Sequence, residues 1–428
     1  MKLDRQVTRD SVWLRWVAAL FLLQFGARLA ASPITLGDCV AAAQKNSLAV
    51  AALAAKTRAA GAAVDKDRRG IWPALTLSDQ GSYSSYKPEA NFTDGTENMA
   101  NAELSMDLQQ WIAPPDGPSR VELRRDLLLL TQARVQVARD VAAAYDRVMV
   151  LRRQAAERQQ AVAYVDAHLQ DIQRLRALGM DVELDLLRAG SQRKSLDLSA
   201  LSQDAELRNS LAVLGSLTGL ELRPDDVAPD QAWLDSVTTD PGAGDDAMVG
   251  KAEDTLQAQL DGLDLETARL ATLGTGPVAA PLLKVGVNHA FKAIDPATPI
   301  DQTYASLTLN AFDWGQRAAE GHQRAQELAA QDSGTQEQLR QLRLQVGKLA
   351  VDMAAASKAY AVSADLLVNA QKGMEIAEKY YRQGKIKETD LLSVFSDFLA
   401  AQGQQDQALQ DLLDRRADWD ALWAGVRP

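Results

Sequence analysis

The sequence predicts a mainly α fold with a small β part, built by duplicating one unit. Three observations predict it. The 428-residue chain is 46% apolar but only 5% aromatic, and its Ala, Gln, Leu and Arg richness suits long packed helices better than compact cores. None of its 14 prolines lies between Ser119 and Arg223 or between Ile300 and Arg427, and proline is the residue that breaks a helix interior. Two phrases also recur in one order: Gly179, Glu183 and Asp185-Leu186-Leu187 return 205 residues later as Gly384, Glu388 and Asp390-Leu391-Leu392. Asn46-Ser47-Leu48 through Pro73 likewise return as Asp254-Thr255-Leu256 through Pro281, 208 residues later.

Residues 1–31 differ from the rest. Five basic residues (Lys2, Arg5, Arg9, Arg15, Arg28) against Asp4 and Asp10 surround the apolar stretch Trp16 to Phe25, and small residues Ala30, Ala31 and Ser32 follow. That is the pattern of a cleaved secretory signal peptide, with cleavage near Ala31, since about ten apolar residues are too few to cross a bilayer that needs roughly 20. Asp38 stands before Cys39, where a lipid-modified cysteine needs a small residue, so Cys39 reads as an ordinary helix position. After Pro33 no apolar run approaches membrane-spanning helix length. If the mature chain enters a membrane, it must use strands.

The first repeat, 32–222, opens on a helix around Asn46 and reaches Pro73. Two strands are expected next, Ala74 to Tyr83 and Ala102 to Gln110, because Leu104, Met106 and Leu108 alternate with polar residues. A polar loop, about Tyr86 to Asn101, joins them. From Ser119 to Leu178 one helical pattern runs almost unbroken, then turns at Gly179 into another helix. A Pro- and Gly-bearing linker, 223–246, carries Asp225, Asp226, Asp245 and Asp246 and leads to the second repeat, 247–428. That repeat has strands at Leu283 to Phe291 and Thr303 to Phe312, a loop at about Ile294 to Gln302, and a long helix from Gln316 to Gln383 that turns at Gly384. At roughly 1.5 Å per residue each long helix reaches on the order of 90 to 100 Å.

Four strands cannot close a membrane barrel, because open edges leave backbone groups unpaired in lipid. Long helices with apolar stripes likewise need neighbours. Several copies sharing one barrel, with the glycine turns gathered at the end far from the strands, satisfy both demands.

At this level the chain resembles the TolC-like outer-membrane efflux proteins, the channel-tunnels. The resemblance rests on Ile34-Thr35-Leu36-Gly37-Asp38 with Asn46-Ser47, Ile71-Trp72-Pro73-Ala74-Leu75 entering a strand, and Ala311-Phe312-Asp313-Trp314-Gly315 leaving one. Tyr381-Arg382-Gln383-Gly384 with Asp390-Leu391-Leu392 at a helical turn completes it. It covers nearly all of the chain after Pro33. It implies a homotrimer with a twelve-stranded outer-membrane β-barrel, four strands per chain, above a large periplasmic α-barrel. It also implies contact with outer-membrane lipid, a periplasmic adaptor (membrane fusion) protein and an inner-membrane ABC or proton-driven pump.

Gly179 and Gly384 read as helix ends, where glycine accepts a left-handed conformation. The resemblance makes these turns, Gly179-Met180 and Gly384-Lys385-Ile386-Lys387, the adaptor-contacting tip. Asp185 and Asp390 read equally as helix caps or, in a trimer, as members of acidic rings near the symmetry axis. By resemblance Asp390 is a constriction carboxylate and Asp185 bonds Tyr381, so that Asp185, Tyr381 and Asp390 form the periplasmic gate. The family's basic gate residue and second constriction aspartate fall at Ile386 and Ser393, where this chain has neither.

Other chemistry finds little footing. One cysteine and three scattered histidines (His168, His289, His322) make thiol and metal chemistry improbable, and a formal charge of -11 disfavours nucleic acid. No phosphate loop, His-Glu pair or nucleophile elbow is present, so neither an enzyme nor a cofactor is expected. The expected function is a passive exit duct of a tripartite efflux or type I secretion machine. The competing reading is a periplasmic coiled-coil adaptor or scaffold without a membrane barrel.

Overall fold

The structure is a computed structural model that describes residues 34–70, 72–86, 93–107, 116–227, 251–273, 282–292, 300–308 and 315–424. The expected signal peptide and most of the linker lie outside these residues. In chain order the elements are α1 (Leu36–Asn46), α2 (Leu48–Arg69), β1 (Ala74–Tyr86), β2 (Thr93–Asp107), α3 (Asp116–Ala177) and α4 (Glu183–Thr218). They continue as α5 (Leu256–Leu273), β3 (Leu282–Lys292), β4 (Ile300–Thr308), α6 (Gln316–Arg382) and α7 (Glu388–Trp423). The proline-free stretches hold α3 and α6, 62 and 67 residues long. Pro118 falls in the first turn of α3, where a missing N–H leaves no helical bond unmade.

The strands differ from expectation mainly at their outer ends. The segment read as a loop, Tyr86 to Asn101, is strand for Thr93–Asn101, and β4 begins at Ile300. Backbone pairing carries these polar residues into the sheet even though their side chains show no apolar alternation. All neighbours in the order β1-β2-β3-β4 are antiparallel, and among the described residues β1 and β4 have open edges. The registers align Leu75 with Leu104, and Leu104 with Val285, placing them in one row across three strands. These three side chains and Leu77 are exposed. Thr76 pairs with Glu103 and Ser78 with Asn101 on the other face. At these described positions the sheet has an apolar and a polar face, and the apolar side chains are exposed. Among the described residues no single helix is long and apolar enough to cross a membrane.

The chain compacts into two units that cut across the sequence repeats: one takes residues 1–47, 137–242 and 352–418, the other 48–136, 243–351 and 419–428. In the first, Cys39 and Ala43 of α1 are fully buried among Val141, Val148 and Met149 of α3 and Leu211 and Leu214 of α4. Cys39 is thus the helix residue expected, and burial pushes its thiol pKa up. The helix starts with a capping box, in which Thr35 and Asp38 satisfy each other's backbone N–H. Asn46 donates its side-chain amide to the Thr218 carbonyl at 2.7 Å, closing the end of α4, which stops at Gly219 with φ 72°. The start of the linker is ordered here: Ile34 N–H donates to the Asp226 carbonyl at 2.9 Å, and Val227 is fully buried. In the second unit Lys56 of α2 meets the buried Asp126 of α3 at 2.8 Å, and Arg125 meets Asp264 of α5 at 2.9 Å.

Candidate functional site

The two long helices, α3 and α6, end in the same geometry. After α3, Gly179 takes φ 86°, its N–H donates to the Arg176 carbonyl, and Met180 N–H donates back to Leu175 at 3.2 Å. After α6, Gly384 takes φ 68°, its N–H donates to Tyr381, and Lys385 N–H donates to Tyr380 at 2.9 Å. Both are the paired six-to-one and five-to-two closure of a glycine-terminated helix, so the positive φ that the sequence assigned to each glycine is realised. The residue after each glycine lies two positions beyond its helix's C-cap. At the second turn this puts the Lys385 ammonium 5.4 Å from the centre of the Tyr380 ring.

The expected tip residues Met180, Lys385 and Lys387 are exposed, and Ile386 is half-buried against an apolar cluster of Ala161, Val165, Leu196, Leu391 and Phe395. Asp390 is exposed, and its carboxylate accepts the Lys387 N–H at 3.3 Å, capping the start of α7. Asp185, at the same position of α4, lies 3.7 Å from Arg188.

The charges of Glu388 and, more weakly, of Asp185 both act on Tyr381. Burial first, then the Glu388 charge, push the phenol well above its ordinary pKa. Glu388 in turn has both carboxylate oxygens 2.8 Å from His168 Nε2 of α3. His168 is 8% exposed and Glu388 3%. The His168 ring meets the edge of Tyr381 at 5.2 Å, and Tyr164 stacks on Phe395 at 5.1 Å. Beside this node lies a cavity of about 520 Å³, lined by residues from both turns, including Asp171, Met180, Asp185, Tyr381 and Ile386.

No protein-family model matches the chain and no curated protein matches it in sequence. Solved structures do. The outer-membrane channel OprN superposes with a TM-score of 0.70 at 15% identity, over 91% of this chain and 89% of its own. The open-state MtrE outer membrane channel of Neisseria gonorrhoeae gives 0.72 at 13% identity, over 92% and 89%. The outer membrane protein VceC of Vibrio cholerae gives 0.68 at 14%, over 91% and 95%. The chain has the TolC-like channel-tunnel fold.

The two matching turns that the sequence marks are present, and the structure brings Asp185, Tyr381, Met180, Gly384 and Ile386 around one cavity. Asp390, Lys385 and Lys387 are not among its lining residues. Sequence reasoning missed His168 and Glu388. The repeat held a trace of them: Glu388 is part of the shared phrase, yet its counterpart Glu183 is exposed and meets Arg176 at 3.4 Å. Arg176 occupies the place of Tyr381, so one spacing across each turn supports a solvated pair in one repeat and a buried one in the other.

Proposed function

We propose that this chain is the passive exit duct of a tripartite efflux or type I secretion system, a homotrimer seated in the outer membrane with a large periplasmic part and no catalytic chemistry of its own. The observation that carries this reading is the two-faced sheet. Its exposed row Leu75, Leu104 and Val285 suits lipid, while Thr76, Ser78, Asn101 and Glu103 suit a wet interior. An antiparallel sheet with β1 and β4 unpaired cannot stay open in lipid. Pairing β4 of one copy with β1 of the next keeps every neighbour antiparallel, and three copies close a twelve-stranded cylinder with an even strand count.

The helices support the same assembly. Leu184, Leu187, Leu198 and Leu201 form an exposed stripe along α4, and Val362, Leu366, Ile376 and Tyr380 form one along α6. Both follow coiled-coil spacing and need a partner surface that one chain does not supply. A second copy supplies it. In the assembled duct the tip turns, with Met180, Lys385, Ile386 and Lys387, meet the adaptor. The carboxylates of Asp185 and Asp390, repeated around the axis with Tyr381 beside them, form the gate that adaptor and pump open.

The test is membrane fractionation with crosslinking. A carbonate-resistant outer-membrane protein with heat-modifiable mobility and a crosslinking ladder ending at three chains is expected. A carbonate-extracted monomer with intact helices would refute the duct and favour the coiled-coil scaffold.

A further inference from the structure

The buried contact between His168 and Glu388 ties together three helices that belong to different sequence repeats. His168 comes from α3, Glu388 opens α7, and Tyr381 of α6 packs on the His168 ring at 5.2 Å and feels the charge of the same carboxylate. With His168 Nε2 2.8 Å from both of its oxygens and the N-terminus of α7 behind it, the carboxylate is held although almost no water reaches it. Any motion that carries the α6–α7 turn away from α3 must pull Glu388 off His168. That motion strands a buried carboxylate and an imidazole until water enters.

The repeat gives an internal control. The corresponding pair across the first turn, Arg176 and Glu183, is solvated, and the residue 205 positions after His168 is Gly373. The buried link is therefore not a by-product of how such turns are built. The cavity of about 520 Å³ beside it, lined in part by both His168 and Tyr381, leaves the link bounded by open space on one side.

We infer that His168 and Glu388 are positioning residues that hold the tip closed, with Tyr381 acting through Glu388. The inference rests on the duct reading for its consequence, since only in a duct does separation of these helices open a passage. Asp185, whose carboxylate is 30% exposed and 3.7 Å from Arg188, then modulates the node rather than forming it.

The test compares the full-length parent with His168→Gln, Glu388→Gln and the double variant, each first shown to keep parent helicity and trimer mobility. Glu388→Gln preserves shape and removes only the charge, so it decides the matter if His168→Gln fails to fold. In planar bilayers each single variant should raise the open-to-closed ratio by about tenfold or more, as expected for losing a charge-assisted hydrogen bond. The double variant should add little, because both changes cut one link. Hydrogen exchange across residues 383–392 should quicken in step. Parent-like gating and exchange in Glu388→Gln overturn the inference, as does a double variant equal to the product of the singles. A parent that forms no pore defeats the duct reading alone, and exchange then decides the link: faster exchange in Glu388→Gln supports it, unchanged exchange refutes it.

Discussion

Asp406 should make the protein less stable as pH rises toward neutrality, and Asp406→Asn should remove that dependence. Asp406 lies on α7, 4% exposed, beside a cavity of about 130 Å³ lined also by Glu157, Arg158 and Gln203. Its Oδ1 accepts no hydrogen bond, and Arg153 is 3.7 Å away. Arg153 is committed elsewhere, with its Nε 2.8 Å from Glu157 and another nitrogen on Gln405. Burial, aided by the Glu157 charge, therefore outweighs Arg153 and pushes the Asp406 carboxyl from 3.8 up to about 7.

The sign follows from proton uptake. Between pH 3.8 and about 7 the folded state holds a proton that the unfolded chain has released. The destabilisation is absent below that window, grows through it and is complete above it. At about 1.4 kcal/mol per pH unit, the full effect is on the order of 4 kcal/mol per chain. Circular-dichroism melting of parent and Asp406→Asn at pH 5, 6, 7 and 8 reads it. The two should melt together at pH 5, and the variant should melt higher at pH 8. Parallel curves, or a variant that melts lower at pH 8, would refute the reasoning and make the ionised Asp406–Arg153 pair a net stabiliser.

Other substitutions probe the caps, the proposed gate and the sheet. Gly219→Ala puts a Cβ 2.6 Å from Asn46 Nδ2 at a positive φ, so it should cost roughly 2 kcal/mol in thermal melts through strain and the lost bond to Thr218. Asp390→Ala should relieve block of single-channel current by multivalent cations, with a smaller loss from the missing cap; unchanged block would place the constriction elsewhere. Tyr381→Phe should raise conductance while leaving that block intact, because it removes a hydroxyl worth about 0.5 to 1.5 kcal/mol, or more on a charged acceptor, and no charge. Leu104→Lys should lower the yield of folded trimer in outer-membrane fractions while Ser105→Lys does not, since only Leu104 lies in the apolar row; equal yields would deny the lipid-facing side.

The sequence by itself determined the helices, the turns and the duplication, because each is written in local terms. Absence of proline permits α3 and α6, glycine at 179 and 384 fixes where they stop, and an alternation of period two marks the inner halves of the strands. Asn46 was visible as part of a phrase, but its work, closing the end of α4 from 172 residues away, was not. Tertiary structure alone decided which polar residues lie inside. Glu183 and Glu388 share a spacing and a place in the repeat, yet one is solvated beside Arg176 and the other buried against His168. Likewise Asp390 caps its helix while Asp185 faces a cavity. The physical reason is that burial of a charge depends on what a second helix, distant in sequence, places opposite it. Local pattern fixes a side chain's position along its own helix and leaves its partner open.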